Sequence, residues 1–185
     1  MDMNRTHDPD DLLARSEVLV DRDGVRDMLD RLAREIAVTI GGEPLTLVAV
    51  MTGGMLPAAW LALRLMQPLQ VDFVHATRYR GGTRGGELDF RVQPHLDVTD
   101  RHVLVVDDIY DEGHTLKLVC EAYAGRGARS VRSAVLVRKM HDRGLPRHVP
   151  DFIGLDVPDV YVFGCGMDAY EEWRHLEEIR ALPDA

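Results

Sequence analysis

The residues best suited to chemistry lie in one short run, VLVVDDIYDEGHTL (103–116). Apolar residues Val103 to Val106 deliver two adjacent carboxylates, Asp107 and Asp108, and a third acid follows at Asp111. A strand buried in an open α/β sheet presents its carboxyl end to ligands. Gly113 then precedes a helical stretch that begins near Thr115. A glycine-containing loop leading into a helix N-terminus exposes several backbone N–H groups at the positive end of the helix dipole, which suits a phosphate. One segment therefore offers carboxylates to hydroxyls or a metal, and amides to a phosphate. A phosphorylated sugar carries both kinds of group. A lone Asp-x-Gly-x-Thr would be read as an acidic helix cap. The paired acids directly behind a buried strand favour a site.

The elements that must position this run can be read on either side of it. Val25, Met28, Leu29, Leu32 and Ile36 recur at helical spacing, with Asp21 as a candidate cap and Gly41 and Gly42 as the stop. LTLVAV (45–50) is a continuous apolar run, expected of a strand covered on both faces. Gly53 and Gly54 follow, then a helical stretch over 56–66. Further strands are predicted at 71–76, 102–106, 131–137 and 160–163, with a helix over 116–123. Strands alternating with helices predict a mainly parallel α/β sheet. The glycine-rich stretch RYRGGTRGGE (78–87) is too long for a tight turn, and such loops in compact domains are more often functional.

Composition bounds the partners. The chain has 185 residues, 45% hydrophobic, and a formal net charge of −9. One domain over 16–185 is expected, behind a flexible or loosely packed stretch at 1–15. The acidic balance argues against nucleic acid and anionic membranes as partners. The first residues, MDMNRTHDPDDLLARSE, hold no apolar signal core, and no apolar run approaches a membrane span. Two cysteines, Cys120 and Cys165, do not make a disulfide framework. The expected location is the cytoplasm, with both thiols reduced.

The run 103–116 resembles the phosphoribosyl-pyrophosphate (PRPP) signature of type I phosphoribosyltransferases: an apolar strand, two acids, two further residues, then Asp-Thr/Ser-Gly-x-Thr. The similarity extends over roughly residues 17 to 180. It implies an α/β fold with a central, mainly parallel sheet flanked by helices, and a small hood formed by the terminal segments. It also implies roles. Asp107 and Asp108 would take the ribose hydroxyls and stand near Mg²⁺. The amides of Asp111, Glu112, Gly113, His114 and Thr115, with the Thr115 hydroxyl, would hold the 5′-phosphate. Asp111 would be the general acid or base near N7 of a purine. Glu112 departs from the usual Thr or Ser. A carboxylate there would repel phosphate, so its side chain is expected to turn outward, with His114 offsetting its charge.

Three other segments resemble the purine branch. In VAVMTGGMLPAAWLALRL (48–65), Met51, Thr52 and Gly53 would present amides to pyrophosphate. The resemblance implies a non-proline cis bond at Met51–Thr52, where many relatives carry Lys in place of Thr52. In DFIGLDVPDVYVFGCGMDAYEEWRHL (151–176), the pattern resembles the hypoxanthine-guanine branch. Tyr161 would stack on the base, the Val162 backbone would face its exocyclic edge, Asp168 would bind the Mg²⁺ carried by pyrophosphate, and Arg174 would reach the pyrophosphate. In VLVRKM (135–140), Lys139 would donate to O6, with Arg138 one position away as the other candidate. Tyr79, in the glycine-rich stretch, would belong to a closing lid.

The resemblance implies Mg²⁺-dependent purine salvage, in which PRPP and hypoxanthine or guanine give IMP or GMP and pyrophosphate. Relatives imply a homodimer or homotetramer. A xanthine-preferring transferase and a non-catalytic PRPP sensor are the alternative readings.

Overall fold

The computed structural model describes residues 9–78, 88–141 and 148–182. The core is a six-stranded sheet in the order β4-β3-β2-β5-β6-β7. Its strands are β2 (Leu45–Val50), β3 (Leu69–Arg78), β4 (Leu88–Val92), β5 (His102–Tyr110), β6 (Ser130–Met140) and β7 (Phe152–Pro158). All neighbours are parallel except β3 and β4. Every residue of β2 is buried, as its unbroken apolar run predicts. Two helices, α2 (Arg22–Ile40) and α3 (Met55–Ala62), cover one face, with Leu32, Ile36 and Leu61 joining Leu47, Leu104 and Leu136 in one apolar cluster. On the other face α4 (His114–Ala124) sets Leu116, Val119 and Tyr123 against Val48, Val103 and Val105.

α2 begins and ends as its sequence predicts. Asp21 caps it, accepting from the Gly24 amide at 2.8 Å, and Gly41 closes it at a φ of 70°. A second, antiparallel sheet in the order β1-β9-β8 joins β1 (Glu17–Val20) to β8 (Tyr161–Phe163) and β9 (Ile179–Leu182). This is the hood, drawn from both terminal segments. No helix among the described residues is long and apolar enough to cross a membrane.

The structure differs from the sequence reading in several places. The strand read as 102–106 continues to Tyr110, because Asp107, Ile109 and Tyr110 stay paired with β6. The stretch 160–163 is β8 of the hood, and the last strand of the main sheet is β7, where Gly154 and Asp156 break the apolar pattern. Residues Leu88–Val92 form β4, whose partner β3 lies across the glycine-rich stretch. The helix read as 56–66 stops at Ala62, capped by Leu63. Within the stretch expected to pack loosely, Pro9–Arg15 forms a short helix, α1, and its Leu12 is buried with Phe163, Ala169 and Leu182 beneath the hood.

Candidate active site

Four segments meet at the carboxyl edge of the parallel sheet. The first is the end of β5. Asp107 and Asp108 lie within the strand. The Asp107 carboxylate accepts from the Asp108 amide at 3.0 Å, and that of Asp108 accepts from the Ile109 amide at 2.8 Å. Asp108 is buried. Burial pushes the Asp107 carboxyl well above the usual carboxylate range, and the adjacent charge of Asp108 pushes the same way. Burial also raises Asp108, against the pull of its hydrogen bonds and of the Arg174 charge. Two carboxylates driven upward by desolvation are poised to accept hydrogen bonds from hydroxyls or to meet a cation.

The second segment is the turn from β5 into α4. Gly113 has a φ of 74°, and a Cβ there would lie 2.5 Å from Cε2 of Tyr110 and 2.9 Å from the His148 carbonyl. Glycine is thus required both by the left-handed backbone and by the close approach. α4 starts at His114, so the amides expected to bind phosphate sit at its N-terminus. The Glu112 side chain is 41% exposed and lies 3.5 Å from the His114 ring, as the charge argument predicts.

The third is the loop after β2. The Met51–Thr52 bond is cis. A Cβ on Gly53 would fall 1.9 Å from Oδ2 of Asp108, so the loop backbone lies directly against the acidic pair.

The fourth is the hood loop that follows β8. Gly164, Cys165, Gly166, Tyr170, Glu171 and Trp173 all have positive φ. The chain folds tightly back, held by hydrogen bonds from Gly164 N to the Met167 carbonyl, Cys165 N to that of Leu176, and Gly166 N to that of Arg174. Left-handed non-glycine residues are costly and persist where surrounding structure enforces them. The loop sets Asp168 against Arg174 at 2.5 Å, and Arg174 also donates to the Gly166 carbonyl at 2.7 Å. A Cβ on Gly166 would lie 2.2 Å from the Gly53 carbonyl, which joins the hood loop to the loop after β2. The Tyr161 hydroxyl donates to the Asp168 carbonyl at 3.1 Å, and its ring stacks on Tyr170 with centroids 6.4 Å apart. The Val162 side chain is buried in the core, leaving its backbone as the part that can face a ligand.

At the end of β6, adjacent residues have separate partners. Arg138 makes two hydrogen bonds to Asp156, at 2.6 and 2.7 Å. Lys139 lies 3.8 Å from Asp159, two residues before Tyr161. Tyr79, read as a lid residue, lies outside the described residues. Sequence reasoning missed the partners: Asp156, Asp159, Gly166 and His141, whose ring lies 2.8 Å from Asp111. Each joins segments far apart in the chain. Only Asp159 carried a local signal, in the Pro-Asp pair before Tyr161.

Among the described residues, no three His, Cys, Asp or Glu side chains are grouped to hold a metal. The carboxylates of Asp168, Asp107 and Asp108 are hard oxygen donors. They fit an ion such as Mg²⁺ that takes one or two protein carboxylates and completes its shell from phosphate and water.

Residues 19–172 match the family described as the phosphoribosyl transferase domain. The chain is similar to the hypoxanthine-guanine phosphoribosyltransferase of Streptococcus pneumoniae, 30% identical over 169 residues, covering 91% of this chain and 93% of the relative. The enzyme of that name from Staphylococcus aureus is 28% identical over 167 residues, 90% of this chain and 93% of its own. A crystal structure of a Staphylococcus aureus hypoxanthine phosphoribosyltransferase superposes with a TM-score of 0.82 at 28% identity, covering 90% of each chain. A mutant Trypanosoma cruzi hypoxanthine phosphoribosyltransferase in a ternary substrates complex gives 0.83 at 26%, covering 90% of this chain and 95% of that one.

Proposed function

This chain belongs to the phosphoribosyl transferase domain family, and we propose that it is a purine-salvage enzyme that transfers 5-phosphoribosyl from PRPP to hypoxanthine or guanine. The carrying observation is the contact chain Asp108–Gly53–Gly166, which packs the acidic strand end, the loop after β2 and the hood loop against one another. A substrate with a sugar, a phosphate and a pyrophosphate needs all three.

Asp107 and Asp108 accept hydrogen bonds from the ribose hydroxyls. The amides from Asp111 to Thr115, with the Thr115 hydroxyl, hold the 5′-phosphate at the start of α4. Amides of Thr52 and Gly53, and the Arg174 guanidinium, hold the pyrophosphate as its bond to C1 of ribose breaks. Tyr161 stacks on the purine, and the Val162 backbone faces its exocyclic edge. Asp111 handles the proton at N7. Lys139 donates to O6, and adenine, lacking that acceptor, would leave the donor unpaired. Arg138 is held by two short hydrogen bonds to Asp156 whereas the Lys139 contact with Asp159 is a looser 3.8 Å, which supports Lys139 for this role. Asp168, Asp107 and Asp108 would hold Mg²⁺. When bound, the ion neutralises charge on the leaving pyrophosphate.

The proposal includes a cytoplasmic setting and a homodimer or homotetramer. A groove between α3 and β3, with Met55, Leu63, Val71 and Phe73 exposed along it, suits contact with a second copy.

The test supplies PRPP and Mg²⁺ with adenine, hypoxanthine, guanine or xanthine and follows nucleotide formation. Product from hypoxanthine and guanine, abolished by excess chelator, is expected. Turnover of xanthine alone would give the xanthine-preferring enzyme, and PRPP binding without product from any base would give the sensor.

A further inference from the structure

His141 belongs to no motif. It is the first residue past β6, thirty positions beyond Asp111, and only 10% of its side chain is exposed. Its Nε2 lies 2.8 Å from Oδ1 of Asp111 and 3.2 Å from the Asp111 carbonyl oxygen. An ionised carboxylate and a carbonyl can only accept. The nitrogen between them therefore carries the proton, and the ring donates to the side chain and the main chain of one residue together. Around them, Arg138 pairs with Asp156, Lys139 with Asp159, and His114 with Glu112.

We infer that His141 is a positioning residue for Asp111, holding its backbone and its carboxylate together in one orientation for proton transfer with the base. The inference rests on the reading of Asp111 as the general acid or base. The Asp111 side chain is 44% exposed and starts a loop, and the His141 ring ties its carboxylate to the end of β6. A proton acceptor must be aligned with its target, and a base held by a third group is the recurring arrangement. The parallel pairing of β5 and β6, with Tyr110 opposite Arg138, delivers Asp111 and His141 to the same edge.

The test uses the full chain with four variants: His141→Phe, His141→Gln, Asp111→Asn, and His141→Phe combined with Asp111→Asn. Steady-state kinetics and a thermal melt are recorded for each. His141→Phe should lower kcat on the order of 10–100-fold, since small misplacements of a catalytic group cost that much. KM for PRPP should stay unchanged. His141→Gln carries an amide N–H near the place of Nε2 and should recover most of kcat. In the Asp111→Asn background, His141→Phe should add little. Wild-type kcat in His141→Phe, or a full additional loss in the double variant, overturns the inference. If His141→Phe does not fold, His141→Asn replaces it. Its amide lies near Nδ1 instead, so it should be impaired where His141→Gln is not, and equal activity of the two overturns the inference. Wild-type kcat in Asp111→Asn is a separate result. It removes the acid–base reading of Asp111, whatever the His141 variants do.

Discussion

The backbone of Gly53 abuts the carboxylate of Asp108 so closely that a Cβ would stand 1.9 Å from Oδ2 and 2.3 Å from Cγ. The Asp108 carboxylate is buried and accepts from the Ile109 amide, so it has little room to retreat. Gly53→Ala should displace it and weaken PRPP binding roughly tenfold or more, which is about 1.4 kcal/mol. Calorimetric titration reads this directly, and an unchanged affinity would show that the acid pair tolerates displacement.

Replacing each of the two adjacent cations at the end of β6 separates base recognition from fold. Lys139→Ala should raise KM for hypoxanthine and guanine while PRPP affinity holds. Arg138→Ala loses a half-exposed ion pair with Asp156, worth about 0–1 kcal/mol of stability, and should leave base KM unchanged. The opposite pattern in the kinetics would move the O6 donor to Arg138.

Asp111→Asn keeps the shape of the side chain and loses its capacity to take a proton. The loss should fall on kcat, by about 10²–10⁴-fold. PRPP affinity should change little, since the loop amides remain. Asp107→Asn combined with Asp108→Asn should instead weaken PRPP binding, and the two patterns are distinguished by kinetics alongside calorimetry.

Much of the acidic strand end and of the turn into α4 is legible in the sequence because it is local. The acids, the glycine and the helix start occupy consecutive positions from Asp107 to Thr115, and the run 45–50 declares a strand buried on both faces. The end of β6 and the hood are less legible because they are made by pairings between distant segments. Phe152–Pro158 mixes glycine and acid into a sheet strand, while the more apolar 160–163 goes to the hood. Asp107 and Asp108 look like the end of a strand, yet β6 pairs beyond them. His141 carries no signal at all until the two strand ends are laid side by side.

The acid pair should also carry a stability signature. Burial first, and the neighbouring charge of Asp108 second, raise the Asp107 carboxyl above its unfolded value. A raised carboxyl binds its proton more tightly in the folded state. Its stabilising contribution is complete below the unfolded value and is lost as pH rises through the folded one. At neutral pH, well above the unfolded value, the raised Asp107 carboxyl therefore weakens the fold. Asp107→Asn should raise Tm at neutral pH, and the gain should shrink as pH falls through the acid range. Thermal melts across pH check both the sign and the trend; a lower Tm at neutral pH would contradict it.

The hood has its own timetable. Among the described strands, β8 pairs only with β9, and β9 in turn pairs with β1. During synthesis, β2, β5 and α4 have all been made before β8 appears. The strand carrying Tyr161 and Val162 then waits for residues Ile179–Leu182 before it has a sheet to join. A growing chain can thus assemble the acidic strand end and the turn into α4 while the hood loop that sets Asp168 against Arg174 is still unbuilt.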